Sequence, residues 1–197
     1  MEGGMKDEKV RIFMELAGQA VSESQQPPTE ALRKLGAQLL LSEVLEYIVD
    51  GLGLTPVLDG TPVHNPNALT FECRTPDVDR LQMVDGLADI AYTMFWNSLA
   101  LGVPLEAGFE EVASNNLEKF VKLAQPVAYS LTDGRKLVPA PLWHLDLDIK
   151  WPKEVTYVEL IEVKGELFAV GKDQHGKVRK PSSYRAVDLR HLLAAIG

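Results

Sequence analysis

No lysine or arginine occurs between Lys34 and Arg74, nor between Arg80 and Lys119, yet each stretch carries a pair of acids at helical spacing. Glu43 and Glu46 stand i, i+3 within Gln38-Leu-Leu-Leu-Ser-Glu43-Val-Leu-Glu46-Tyr-Ile-Val49. Asp85 and Asp89 stand i, i+4 within Val84-Asp85-Gly-Leu-Ala-Asp89-Ile-Ala-Tyr92. Each spacing puts both carboxylates on one face of a helix. Their apolar neighbours, among them Leu39, Leu40, Val44, Leu45 and Ile48, leave little polar face, so the acids require a partner. With no cation close in sequence, a hard metal ion is the leading candidate. An all-oxygen set without paired His or Cys favours Mg²⁺, with Mn²⁺ as a substitute, over Zn²⁺.

At 197 residues the chain has room for one packed domain and a small appendage. A hydrophobic content of 46% with 24% charged residues excludes wholesale disorder. The single Cys73 fits a reducing compartment, and no apolar run reaches the ~18 residues of a membrane span. With no apolar signal core after Met1, a cytoplasmic location is expected. Charge is unevenly divided: 7 Lys/Arg against 19 Asp/Glu give −12 over residues 1–118, and 13 against 9 give +4 over 119–197. An acidic part suits cations, and a basic part suits an anion bridged to them. No dense Lys/Arg run supports a nucleic-acid face.

Periodicity predicts a helix over 6–21, with Val10, Phe13, Met14 and Ala17 as its stripe. A second, capped by Thr29, runs to Asp50 and stops at Gly51. Residues 52–74 read as a long loop or small hairpin. A third helix starts at Thr75-Pro76-Asp77 and runs to Leu101, with Val84, Leu87, Ala88, Ala91, Phe95 and Leu99 as its core stripe. Pro104 opens a fourth, which Ser114-Asn115-Asn116 is expected to break or kink. Two hairpins follow, over 127–138 and 156–170, and then a terminal helix over 187–196. The expected fold is mainly α: a helical bundle over 6–124, a small β-rich insertion over 125–175, and a tail over 176–197 packing on the bundle.

The ordered segments Glu43-Val-Leu-Glu46, Asp85-Gly-Leu-Ala-Asp89-Ile-Ala-Tyr92, Phe109-Glu-Glu-Val112-Ala-Ser-Asn-Asn116-Leu-Glu-Lys119 and Gly176-Lys-Val-Arg-Lys180-Pro-Ser-Ser-Tyr184-Arg-Ala-Val-Asp188-Leu resemble the all-α nucleoside triphosphate pyrophosphohydrolases. These are the MazG-like and phosphoribosyl-ATP pyrophosphohydrolase-like proteins, phage-type members included. The resemblance covers roughly residues 9–50, 84–123 and 176–192. Ser42 stands where many relatives carry a further Glu, Gly86 where the narrower motif has Glu, and the segment 125–175 is inserted.

The resemblance implies an all-α NTP pyrophosphatase-like bundle that hydrolyses nucleoside triphosphates, deoxyribonucleotides above all, to the monophosphate and pyrophosphate. Glu43, Glu46, Asp85 and Asp89 would hold Mg²⁺, and Glu43 would act as general base. Asn116, Lys119, Lys180 and Tyr184 would bind substrate, with Lys119 on a phosphate. Phe13, Gln19 and Trp96 are further candidates near the base. Self-association through the apolar 90–101 segment into a homodimer or homotetramer is expected, and a phage-encoded protein would work in the host cytoplasm. The alternatives are hydrolysis of phosphoribosyl-ATP and a non-enzymatic nucleotide- or metal-binding interaction protein.

Overall fold

The computed structural model describes residues 7–21, 28–63, 65, 69–145 and 147–194. In chain order its elements are α1 (Glu8–Ala17), α2 (Glu30–Glu46), β1 (Val57–Leu58), β2 (Thr61–Pro62), α3 (Arg80–Leu101), α4 (Leu105–Leu117), β3 (Val121–Leu123), β4 (Ser130–Thr132), β5 (Arg135–Val138), β6 (Tyr157–Val163), β7 (Glu166–Lys172) and α5 (Arg190–Ala194). They fall into two compact units, Ser24–Ala91 and the combination of Met1–Glu23 with Tyr92–Gly197.

The larger unit is built on a five-stranded antiparallel sheet in the order β3-β7-β6-β5-β4. Alternation along the strands sends side chains to opposite faces. Val158 and Leu160 of β6, Ala169 of β7, Val121 and Leu123 of β3 and Val138 of β5 form one core with Leu145, Ile149 and Val155 from the long β5–β6 connection. Val163 of β6 and Val170 of β7 form a second core with Leu16, Ala17 and Phe120, against which Phe13 and Leu117 pack. Val158, Val170 and Leu16 are the largest side chains to be fully buried. Each such burial contributes about 1.5–3 kcal/mol relative to exposure. Trp143 and Trp151 close the first core, and Nε1 of each is satisfied by a backbone carbonyl, Val138 at 2.9 Å and Trp143 at 3.0 Å. Gly171 is needed beneath Trp151, since a Cβ there would lie 2.3 Å from the ring.

The turns follow from residue chemistry. Asp133-Gly134 and Lys164-Gly165 join β4 to β5 and β6 to β7, and all four residues have positive φ, the requirement of a tight hairpin turn matched to strand twist. α1 stops at Gly18, whose φ of 72° makes the left-handed cap, so the helix ends short of the expected Val21.

In the smaller unit, Thr29 caps α2 by accepting from the Leu32 N–H at 3.2 Å. The helix then widens into a π-helical turn over Tyr47–Gly51. β1 and β2 form a hairpin around Asp59-Gly60. Asp79 accepts from the Gln82 N–H at the start of α3, so Thr75-Pro76-Asp77 is a turn ahead of the helix and not its first turn.

A mainly α bundle is therefore not what forms; the fold is α+β, with the sheet as its organising layer. Two local causes account for the difference. Val121-Lys122-Leu123 alternates buried, exposed, buried, so the segment expected to extend the fourth helix to 124 is the edge strand β3. The expected core stripe of α3 is not buried: Val84, Leu87, Phe95 and Leu99 are all exposed, Leu99 by 84%. The expected break in α4 is also absent, since the helix continues through Ser114-Asn115-Asn116 to Leu117.

Candidate functional site

The two acid pairs lie on α2 and on the first half of α3, both within the smaller unit. Glu43, Glu46, Asp85 and Asp89 are all exposed, and none forms an ion pair with a described residue. Their apolar neighbours do not shield them, because Leu39, Leu40, Val44, Val84 and Leu87 are exposed too, while Leu45 is buried. Among the described residues no three His, Cys, Asp or Glu side chains are grouped to hold one metal ion. What exists is two separate i, i+3 and i, i+4 carboxylate pairs. Such a pair matches Mg²⁺, which takes one or two carboxylates and completes its octahedron with water and substrate phosphates. Glu46 is the last α-helical residue before the π turn, a distortion frequent at functional sites and invisible in the sequence pattern. Ser42 Oγ accepts from Gln38 Nε2 at 3.0 Å.

The four substrate-binding candidates belong to the larger unit. On α4 and just beyond it, Lys119 Nζ donates to Asn116 Oδ1 at 2.7 Å and stands 5.4 Å from the centre of the Phe13 ring. Phe13 also meets Phe120 edge-on, so its ring is a packing element that carries Lys119 on its other contact. In the tail, Lys180 Nζ lies 4.6 Å over the Tyr184 ring, and the Tyr184 hydroxyl donates to Asn115 Oδ1 at 2.7 Å. The structure thus ties Asn116 to Lys119 and Lys180 to Tyr184, and it fixes the second pair to the residue preceding Asn116. Trp96 is exposed on the half of α3 that belongs to this unit.

Three further polar features were not legible in the sequence. Asn115, 9% exposed, also donates through Nδ2 to the Arg185 carbonyl at 2.7 Å. Lys172 and Glu159 form a nearly buried ion pair at 2.8 Å on the α1 side of the sheet. Asp173 accepts from the His175 and Lys177 N–H groups at 2.9 Å each and from Arg179 at 2.5 Å. Burial raises the Asp173 carboxyl, but the Lys177 N–H, the Arg179 guanidinium and the His175 N–H outweigh it and hold it below the ordinary carboxylate range. The only sequence hint was asparagine in a helix interior, where its local propensity is poor. Around the unit, Lys164 pairs with Glu8, whose carboxyl it lowers, and Lys9 pairs with Glu110.

No described helix is long and apolar enough to cross a membrane. No family model, curated protein or solved structure gives a significant match to this chain.

Proposed function

We propose that the protein is a Mg²⁺-dependent nucleoside triphosphate pyrophosphohydrolase, converting deoxyribonucleoside triphosphates and water to monophosphates and pyrophosphate. The observation that carries this reading is the pair of cation-free carboxylate couples, exposed on helices most of whose apolar side chains are exposed with them. Uncompensated acids on an ordered, apolar surface are suited to a divalent ion and a partner surface. Each pair, Glu43 with Glu46 on α2 and Asp85 with Asp89 on α3, would offer carboxylates to Mg²⁺. When bound, Mg²⁺ supplies positive charge for the phosphate oxygens and makes a coordinated water easier to deprotonate. A glutamate left free of direct ligation, Glu43, would accept the proton of the attacking water. Within the larger unit taken by itself, Lys119, oriented by Asn116 Oδ1, and Lys180 on the tail are the point charges suited to a phosphate. A second copy of the chain covers the apolar surfaces in a homodimer or homotetramer.

Pyrophosphate release from a nucleotide panel tests the proposal. The four canonical dNTPs should be turned over with Mg²⁺ and not with EDTA. Asp89→Asn should lower the rate by at least about a hundredfold at unchanged helical circular dichroism, the loss expected for a metal ligand. Turnover of phosphoribosyl-ATP alone would select the alternative substrate. Nucleotide or metal binding without turnover by the wild type would select a non-enzymatic interaction protein. Full activity in Asp89→Asn would remove the carboxylates from the chemistry.

A further inference from the structure

Asn115 lies in the last two turns of α4, where a helix gains nothing from an asparagine. The residue is nevertheless 9% exposed, and its carboxamide is engaged at both ends with a segment about seventy residues later. Oδ1 accepts from the Tyr184 hydroxyl and Nδ2 donates to the Arg185 carbonyl, both at 2.7 Å. The same stretch of tail is held from its other side. The Ser182 N–H donates to the Lys150 carbonyl at 2.8 Å, the Lys150 N–H donates to Ser182 Oγ at 2.9 Å, and Pro181 is buried. Lys180, next along the chain, is exposed, and its ammonium rests on the Tyr184 ring and pairs with no carboxylate among the described residues.

We infer that Asn115 is a positioning residue, which clasps the tail to α4 and so fixes, through the Tyr184 ring, where the Lys180 cation stands to receive the polyphosphate of a nucleotide. This rests on the hydrolase reading only in taking a polyphosphate as the ligand. The clasp needs a carboxamide. Aspartate keeps the acceptor for Tyr184 but loses the donor to Arg185 and sets a charge beside Glu118, to whose carboxylate Asn115 Nδ2 also donates at 3.4 Å. Alanine loses both bonds and leaves the Arg185 carbonyl and the Tyr184 hydroxyl to find water. A cation whose aromatic platform is fixed loses less conformational freedom on binding an anion than one on a mobile tail.

The test measures two things on Asn115→Ala and on Tyr184→Phe, the milder change, which keeps the ring and deletes only the donor. Amide hydrogen exchange reports how tightly residues 182–187 are held, and calorimetric titration with inorganic tripolyphosphate reports anion affinity without requiring hydrolysis. Both variants should exchange faster in the tail and bind tripolyphosphate more weakly, about tenfold for Asn115→Ala and less for Tyr184→Phe. Lys180→Ala should bind as weakly as Asn115→Ala while leaving tail exchange unchanged, which separates the cation from its support. Faster exchange at unchanged affinity would reduce Asn115 to a packing residue and overturn the inference. So would unchanged exchange in Asn115→Ala, or a wild type that binds no tripolyphosphate. Pyrophosphate release from dNTPs by that same wild type would leave the hydrolase reading standing.

Discussion

The Asp173 carboxylate shows how much order one side chain can impose on a turn that sequence presents only as Asp-Gln-His-Gly-Lys. It satisfies two backbone N–H groups and a guanidinium at once, and Gly176, with φ of 78°, lets the chain reverse beneath it. Because its folded pKa lies below the ordinary value, the folded state binds this proton less readily than the unfolded chain does. Its contribution is therefore complete above the unfolded value of about 3.9 and is lost as pH falls through the folded one. Asp173→Asn should lower the melting temperature at about pH 7, and the gap to wild type should close towards about pH 3. Thermal melts of both proteins across that range decide it: a gap constant with pH would mean that the charge of Asp173 is not what stabilises the turn. The Lys172–Glu159 pair teaches a related point. The two residues occupy neighbouring strands on one face, and nothing in either strand's alternation announces that a charged pair replaces apolar side chains there.

Helices α2 and α3 show where pattern and outcome part. Their existence, the Thr29 cap and the hairpin turns at Asp133-Gly134 and Lys164-Gly165 were legible, because propensity, capping and positive-φ chemistry are local properties of a few residues. Burial is not local. The Val84, Leu87, Phe95 and Leu99 stripe has the period of a core-facing helix, yet all four side chains are exposed. β3 was missed for the same reason: three residues carry too short an alternation to be distinguished from a helix end, and only pairing with β7 defines them as a strand. The acid pairs were found because spacing on a helix face is local, whereas their exposure depends on what the neighbouring leucines pack against. If a second copy covers α3, Leu99→Asp should abolish self-association. Sedimentation velocity should then show a multimer for the wild type and a slower, concentration-independent species for the variant. A wild type that sediments as a monomer would leave the stripe without the partner assigned to it.

For the molecule as a whole, if the carboxylate pairs bind Mg²⁺ only when their helices are formed, metal and fold are coupled by mass action. At a concentration about a hundred times its dissociation constant, Mg²⁺ should add about 2.7 kcal/mol of stability. The expected signature is a Mg²⁺-dependent rise in melting temperature in the wild type that is lost in Asp85→Asn with Asp89→Asn. An equal rise in both proteins would place the ion elsewhere. The strand order has a different consequence, for the moment of synthesis. β4, β5 and β6 each pair with the strand next in sequence, so the meander from β4 to β7 can assemble as it leaves the ribosome. β3 emerges before all of them but hydrogen-bonds only to β7, about forty residues later. It is thus the first strand of this sheet to be made and the last to find its place. Val121 and Leu123 travel through that interval unpaired, with Lys122 between them as the charge that discourages the strand from pairing with the wrong chain.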